Sequence, residues 1–438
     1  MTDNPLRDTG TNMENLATQY SLGPLGHYVA QERGATFYFD HAALDVTLLS
    51  EHIARVRFAP GGNFRPAHSW DVVRPIEDFP GIPFELVEES SSLLLRSASF
   101  SVRVARSDGR LTWLTPVGQS FASDAAPLRW DSQGVRASKI IDPQEHFYGF
   151  GERTGLLDKS GRAMINWATD PAGPQGPGTD PMYMAIPLAV SMRPGLAYAL
   201  YSNATGWSAF DLRQHRTLDY GALGSELDTF LLYGPTPDEV MQAIHDLLGA
   251  MPLPPRWALG YHQSRWSYES AEEVSRVAAE FRARDIPCDV IHLDIDHMDG
   301  YRVFTWNKQR FPDPAALIAA LRDQGFHVVS IIDPGVKADP EYEVFREGVE
   351  KGMFIHLADG RLAHGYVWPD DSVFSDYLRP EVRAWWGDLQ GRLTDVGVRG
   401  VWDDMNEPTV FDRPFSAGGG GIGTLPPEAL QGPAGEQV

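Results

Sequence analysis

The second half of this chain alternates apolar strands with amphipathic helices, and this alternation restricts its fold more than any other feature. The apolar runs that predict strands are Trp257–His262, Val290–Leu293, Phe326–Ile332 and Gly397–Trp402. Ser270 and Glu273 have the spacing of a capping box, which predicts that a helix between the first two strands begins just after Ser270. Pro314 and Pro380 stand where the next two helices begin. Four β-α units in succession predict a parallel sheet, either open or closed into a barrel.

Polar residues follow each predicted strand. In chain order they are Arg265 and Trp266, then Asp294 and Asp296, then Asp333, and finally Asp403, Asp404 and Glu407. In (β/α)8 barrels the chemistry is carried by residues at the carboxyl ends of several strands. The pattern therefore favours a TIM barrel over an open sheet, with these side chains at its rim.

The first half shows period-two apolar runs separated by turn residues. One predicted hairpin runs from Phe100 to Trp113 through Asp108-Gly109, and another turns at Pro194-Gly195. This pattern predicts an antiparallel β-sandwich with an irregular loop at 155–181. The predicted divisions are an N-terminal extension at 1–34, a β-sandwich domain at 35–235, a helix and proline-rich linker at 236–255, and the first half of a (β/α)8 barrel at 256–438.

Composition excludes several classes of partner. Acidic residues outnumber basic residues by 59 to 37, and a formal charge of −22 repels nucleic-acid phosphates. The sequence has no apolar run of about 18 residues, as a membrane helix requires, and Met1–Tyr20 lack the apolar core of a signal peptide. We expect a cytoplasmic protein without nucleic-acid or membrane partners. The single cysteine, Cys288, cannot form an internal disulfide and is expected to be a buried thiol.

The carboxylates at the strand ends have three interpretations. Each could cap the helix that follows its strand. A second interpretation is a magnesium or calcium site built from Asp294, Asp296, Asp299, Asp403, Asp404 and Glu407. The third is glycoside chemistry, in which one carboxylate attacks the anomeric carbon and another protonates the leaving oxygen. Aromatic residues near the predicted rim support the third, namely Trp266, Trp306, Trp368 and Trp402.

One segment is far more specific than these patterns. Gly400–Pro408, which reads Gly-Val-Trp-Asp-Asp-Met-Asn-Glu-Pro, resembles the nucleophile motif of glycoside hydrolase family 31. Further segments similar to that family occur in its order, at Phe147–Gly155, Leu259–Tyr268, Leu293–Tyr301, Phe304–Trp306, Asp333–Gly335 and Val367–Pro369. The resemblance spans about residues 35–430, and it implies a β-sandwich followed by a catalytic TIM barrel.

The resemblance also implies roles for individual residues. It makes Asp404 the nucleophile of a retaining double displacement, with Glu407 supporting it from the same motif. Asp294 matches the carboxylate that binds sugar hydroxyls. The other positions that match the innermost sugar subsite are Arg265, Trp266, Ile331, Asp333, Trp368, Trp402, Met405 and, on a sandwich loop, Asp170. The substrate implied is an oligosaccharide or α-glucoside with terminal α-linked glucose, and neither a cofactor nor a metal is implied.

The sequence departs from the family in places. His297 stands where Tyr is frequent, Asp370 where Gly is usual, and Ala168 where Asn is usual, while Ser375 interrupts a familiar stretch. The family's general acid/base lies on a later part of the barrel, so no residue here is assigned to it. We expect an incomplete chain that a second chain could complement. The alternatives are a non-catalytic carbohydrate-binding remnant, or an α-xylosidase or transglycosidase of the same family.

Overall fold

The computed structural model describes residues 20–66, 69–171, 173–214, 216–224, 226–420, 423–426 and 428–432, and the backbone of 436–437. The chain divides into two compact units between Met251 and Pro252. Part of the predicted N-terminal extension, residues 1–19, lies outside the described residues. No helix in these ranges is long and apolar enough to cross a membrane.

The first unit is built from antiparallel strands and one helix. Its strands are β1 Tyr20–Ser21, β2 Leu25–Gln31, β3 Gly34–Phe39, β4 Ala42–Leu48, β5 Ile53–Pro60, β6 Phe84–Glu88, β7 Ser92–Ser97, β8 Ser101–Ala105, β9 Leu111–Leu114, β10 Ser120–Phe121, β11 Arg129–Trp130, β12 Gly134–Ile140, β13 His146–Gly151, β14 Ala163–Asn166, β15 Ala185–Arg193, β16 Leu196–Ser202, β17 Ser208–Asp211, β18 Thr217–Leu223 and β19 Leu227–Gly234. A short 3-10 helix covers Ile76–Asp78, and helix α1 covers Pro237–Leu248.

Three antiparallel sheets pack around one core in this unit. Their strand orders are β13-β15-β16-β19-β5-β4-β3-β2, β1-β11-β12-β18-β17-β14 and β10-β9-β8-β7-β6. Phe58, Trp113 and Phe210, one from each sheet, are buried in the same cluster. Both predicted hairpins form, as β8 with β9 and β15 with β16. The sandwich prediction is confirmed, although the predicted loop at 155–181 contains β14, which pairs with β17.

Helix α1 covers the outer side of the largest sheet. Val240 and Leu247 are fully buried against β16 and β19. A complete capping box starts the helix, since the Thr236 side chain accepts the Glu239 N–H and the Glu239 side chain accepts the Thr236 N–H. The box predicted at α2 forms only in part. Ser270 accepts the Glu273 N–H, while the Glu273 side chain accepts the N–H of Glu269.

The second unit carries the β-α units. Its strands are β20 His262–Gln263, β21 Val290–Leu293, β22 His327–Ile332, β23 Gly335–Lys337, β24 His356–Leu357, β25 His364–Val367, β26 Asp370–Phe374, β27 Gly400–Asp403, β28 Ala429–Gln431 and β29 Glu436–Gln437. Its helices are α2 Ala271–Ala283, α3 Pro314–Asp323, α4 Glu343–Lys351, α5 Pro380–Leu389 and α6 Gly391–Thr394. Short 3-10 helices cover Arg256–Leu259, Ile295–His297 and Phe415–Ala417.

Four of these strands form a parallel sheet in the order β20-β21-β22-β27. The remaining strands of this unit form two small antiparallel sheets, with the strand orders β23-β26-β25 and β24-β28-β29. Ile291 and Val328 of the parallel sheet share a buried cluster with Val274 of α2, Leu321 of α3 and Val382 of α5. The helices therefore cover one face of the sheet, and that cluster is the core of the unit.

One predicted strand is wrong. The run Trp257–His262 is mostly a 3-10 helix at Arg256–Leu259, and only His262–Gln263 pairs with β21. The Ala258 N–H donates to the Pro255 carbonyl and closes a tight turn after the prolines. The Trp257 ring stacks on His327 at 4.5 Å between centroids. Trp257 therefore packs against the start of β22 and does not extend a strand, while Leu259 and Tyr261 are exposed.

Candidate active site

Three neighbouring parallel strands carry a carboxylate to the same face of the sheet. In the ladders His292 pairs with Val329, and Ile331 with Trp402. Asp294, Asp333 and Asp404 each stand two residues beyond a residue of this face, namely His292, Ile331 and Trp402. Because side chains alternate along a strand, all three carboxylates share this face, which we call the carboxylate face. The rings of His292 and Trp402 meet there at 6.0 Å.

Burial and mutual repulsion perturb this cluster. Asp294 is 9% exposed, and its pKa is raised by burial and by the charges of Asp404 and Asp296. Asp333 is 4% exposed, and burial followed by the charges of Asp404 and Asp294 raises its pKa well above the ordinary range. Three carboxylates that influence one another at the ends of adjacent strands are the arrangement expected of a functional site.

Asp403 belongs to the opposite face. It pairs with Ile332, and the backbone N–H of Asp404 donates to the Ile332 carbonyl at 3.2 Å, which continues the ladder. A cavity of about 290 Å³ at this edge is lined by both aspartates. The other residues that line it are Ile332, Asp333, Pro334, Tyr377, Trp386 and Asn406. The pleat thus places two consecutive carboxylates on opposite faces, although both reach the cavity at the edge of the sheet.

His297 fixes the turn that carries Asp294. Its imidazole Nδ1 lies 2.9 Å from the Asp294 carbonyl oxygen, and Nε2 lies 3.1 Å from the Ser330 hydroxyl on β22. Burial lowers the pKa of this histidine to about 4, so the ring is neutral at pH 7. A neutral ring that donates from Nδ1 accepts the Ser330 O–H at Nε2. His297 therefore joins the ends of two carboxylate-bearing strands through a tautomer that this hydrogen-bond pattern assigns.

An aromatic cluster surrounds Trp368. Its ring lies 5.7 Å from Trp266, 6.4 Å from Tyr301, 5.3 Å from Phe411 and 4.8 Å from Phe415. Trp266 is 67% exposed, as expected of a ring that can stack on a ligand. Sequence reasoning selected the two tryptophans and missed the other three residues. A signal for Tyr301 was present, since it closes the segment that begins at Leu293.

Other predicted site residues occupy varied positions. Arg265 follows β20, is exposed, and forms no ion pair with a residue that the structure describes. Met405 packs against the buried cluster that contains Val367 and Val410. The Thr409 hydroxyl donates to Glu407 at 2.8 Å.

Asp170 lies in the first unit and is half-buried. Burial raises the pKa of Tyr183, and the hydrogen bond between Tyr183 and Asp170 raises it further. Its predicted approach to the pocket stays a prediction.

The described residues offer no ligand cluster for the hypothetical cation site. Within the described ranges, no three His, Cys, Asp or Glu side chains gather where they could hold a metal ion. Asp296, one of the proposed ligands, instead forms an ion pair with Arg310 at 2.6 Å. Asp294 uses one oxygen to accept the Ile295 N–H at 2.7 Å.

A β-sandwich unit followed by β-α units with clustered carboxylates is the arrangement that the resemblance to glycoside hydrolase family 31 implied. Two family models match this chain. Residues 251–421 match the glycosyl hydrolases family 31 TIM-barrel domain, and residues 43–211 match the glycosyl hydrolase 31 N-terminal galactose mutarotase-like domain. The chain belongs to glycoside hydrolase family 31, and the resemblance found in the sequence is confirmed.

Known proteins of similar sequence and structure agree with this assignment. Alpha-glucosidase 2 of Bacillus thermoamyloliquefaciens is 40% identical over 401 residues, which are 90% of this chain and 50% of that protein. An alpha-glucosidase of Saccharolobus solfataricus is 33% identical over 281 residues, covering 64% and 40%. The Flavobacterium johnsoniae GH31 dextranase, solved with glucose, has a TM-score of 0.83 at 27% identity and covers 89% and 48%. The chain spans about half the length of such relatives.

Proposed function

We propose that this chain carries the nucleophile half of a retaining α-glucosidase that acts on terminal α-linked glucose. The observation that supports the proposal is the carboxylate face, on which Asp404 follows β27 between the family motif's Trp402 and Met405. The similarity to two alpha-glucosidases supports glucose as the sugar.

In the proposed reaction the Asp404 carboxylate attacks the anomeric carbon as the bond to the leaving oxygen breaks. A covalent glucosyl ester forms, and water then displaces Asp404 with net retention of configuration. Asp294 binds hydroxyls of the same sugar, and the exposed Trp266 ring stacks on its apolar face. Negative charge on Asp404 also stabilises the oxocarbenium-like transition state.

The protonation of the leaving group is not assigned to a residue of this chain. A retaining enzyme needs a second carboxyl about 5 Å from the nucleophile, and general acid catalysis contributes about 10²- to 10⁴-fold. We propose that the four β-α units make up the first half of an eight-stranded barrel. The acid carboxyl then comes from the other half, in a longer form of the protein or on a complementing chain.

The nucleophile can be tested without the acid. Fluoride needs little protonation to leave, so a 5-fluoro-α-glucosyl fluoride should glucosylate Asp404 in the isolated chain. Intact-mass analysis should show one added glycosyl group, and peptide sequencing should place it within Gly400–Pro408.

Asp404→Asn should abolish this labelling, whereas the matched variant Asp403→Asn, on the opposite face, should retain it. Labelling that persists in Asp404→Asn would refute the assignment. An unlabelled wild-type chain that is nevertheless stabilised by glucose would favour a carbohydrate-binding remnant.

A further inference from the structure

The carboxylate face holds three acidic groups that influence one another electrostatically. Asp333 is the most deeply buried of its three aspartates. Its Oδ1 atom is fully buried and has no hydrogen-bond partner, within the part of the chain that the structure describes. The groups that act on it electrostatically are Asp404, which follows β27, and Asp294, which follows β21, and both are acidic. Among the described residues, no donor reaches Oδ1 of Asp333 and no cation contributes to the shift of its pKa.

The other two aspartates are better placed to hold a charge. Asp294 accepts the Ile295 N–H at 2.7 Å, and a hydrogen bond of this kind favours the ionised carboxylate. Asp404 is half-buried at the edge of the cavity, where solvent can stabilise its charge. When like-charged groups share a site, the proton goes to the group whose anion is least stabilised. By this comparison, that group is Asp333.

We infer that Asp333 is a neutral carboxylic acid at neutral pH and is the hydrogen-bond donor of the carboxylate face. Asp333 and Asp404 line the same cavity, at the ends of neighbouring strands. There Asp333 offers a proton to a carboxylate that the proposed function requires to be ionised. Asp333 is thus a positioning residue, because it acts through Asp404. The titratable groups that line the same cavity are Asp403, Asp404 and Tyr377.

Asparagine is the variant that separates protonation from packing, since it has the shape of the protonated acid and cannot ionise. Above the ordinary carboxyl pKa of about 3.9, a folded state that keeps its proton binds one proton more than the unfolded state. The stability that Asp333 contributes therefore falls as the pH rises toward neutrality, and Asp333→Asn lacks this loss. The unfolding constant of the wild type relative to Asp333→Asn should rise about tenfold per pH unit.

The ratio of the two unfolding constants can be measured for the second unit by hydrogen exchange of the β22 amides, read by mass spectrometry across this pH range. Asp323→Asn, an exposed substitution on α3, controls for the loss of a charge as such. The tenfold change in this ratio per pH unit should also persist when both proteins carry Asp294→Asn. A ratio that does not change with pH would overturn the inference.

Infrared spectroscopy keeps the inference testable if Asp333→Asn does not fold. The carbonyl stretch of a protonated carboxyl should be present at neutral pH in the wild type and in Asp294→Asn. Its absence from either protein would overturn the inference. Neither measurement needs turnover, so a failure of the proposed function and a failure of this inference can be told apart.

The positioning role rests on the proposed function and is tested by rescue. Labelling of Asp404 by the glucosyl fluoride should proceed within about tenfold of the wild-type rate in Asp333→Asn, which retains a donor. In Asp333→Leu, which has none, labelling should slow by about 10²-fold, as expected when an attacking group is no longer held in position. Equal losses in the two variants would refute the role.

Discussion

Acid should weaken the second unit through His297. The ordinary pKa of histidine is 6.5, and burial lowers that of His297 to about 4. As the pH falls from 6.5 toward 4, the unfolded chain gains a proton at this residue and the folded chain does not. Stability contributed by the neutral ring is therefore complete above pH 6.5 and decreases by up to about 1.4 kcal/mol per pH unit. Over the whole interval the loss is about 3 kcal/mol.

The variant His297→Asn removes the titration and keeps a donor near the Asp294 carbonyl. It should be less stable than the wild type at pH 7 by about 2 kcal/mol, because the buried ring leaves a cavity beside Trp306. Its stability should then depend less on pH, so that the wild type, which loses about 3 kcal/mol by pH 4, falls to the stability of the variant near pH 5.

Hydrogen exchange of β21 and β22 amides at successive pH values gives the free energy of opening for both proteins. His41→Asn, on an exposed turn of the first unit, controls for the substitution itself. If the free energies of opening of the wild type and His297→Asn changed with pH in parallel, the reasoning would be refuted.

Three further results are expected. Thr236→Ala should destabilise the first unit by about 1 kcal/mol in urea denaturation, because it removes one half of the capping box of α1. Lys139→Met should cost about 3–5 kcal/mol, because it leaves Asp124, its partner at 2.5 Å, buried without a counter-ion. The double variant with Asp124→Leu should recover most of that loss, and equal stabilities of the single and double variants would contradict this. Burial raises the pKa of the Cys288 thiol, so a disulfide reagent at pH 7 should label it much faster in urea than in buffer.

Hydrophobic periodicity predicted most of the secondary structure, because a helix or strand that buries one face needs apolar residues at the spacing of that face. The helix predicted within 236–255 is α1 at Pro237–Leu248, and α3 and α5 begin at the predicted prolines. The fourth strand was predicted from Gly397 but begins at Gly400. Gly397 has a φ of +107°, a conformation that strands do not use. Local apolar content predicted a strand there, and the turn after α6 required the glycine.

The site was predictable only in part. The carboxylates at the strand ends follow from topology, because parallel strands bring their carboxyl ends to one edge. Two features depend on contacts between distant segments, namely the His297–Ser330 hydrogen bond and the packing of Phe411 and Phe415 on Trp368. No local pattern encodes them. Asp370, where the family has Gly, has a φ of +70°, which explains the usual glycine once the backbone is known.

The two consecutive aspartates at the end of β27 limit how this segment can change in evolution. Asp403 and Asp404 point to opposite faces, so gaining or losing one residue within the strand would exchange them. The exchanged strand would still present an acid to the sugar, and its net charge and motif composition would be nearly unchanged. That acid would stand one residue, about 3.3 Å, from the place where Asp404 now meets the ends of β21 and β22. Descendants with such a shift would keep the appearance of the motif while losing the alignment on which attack at a single carbon depends.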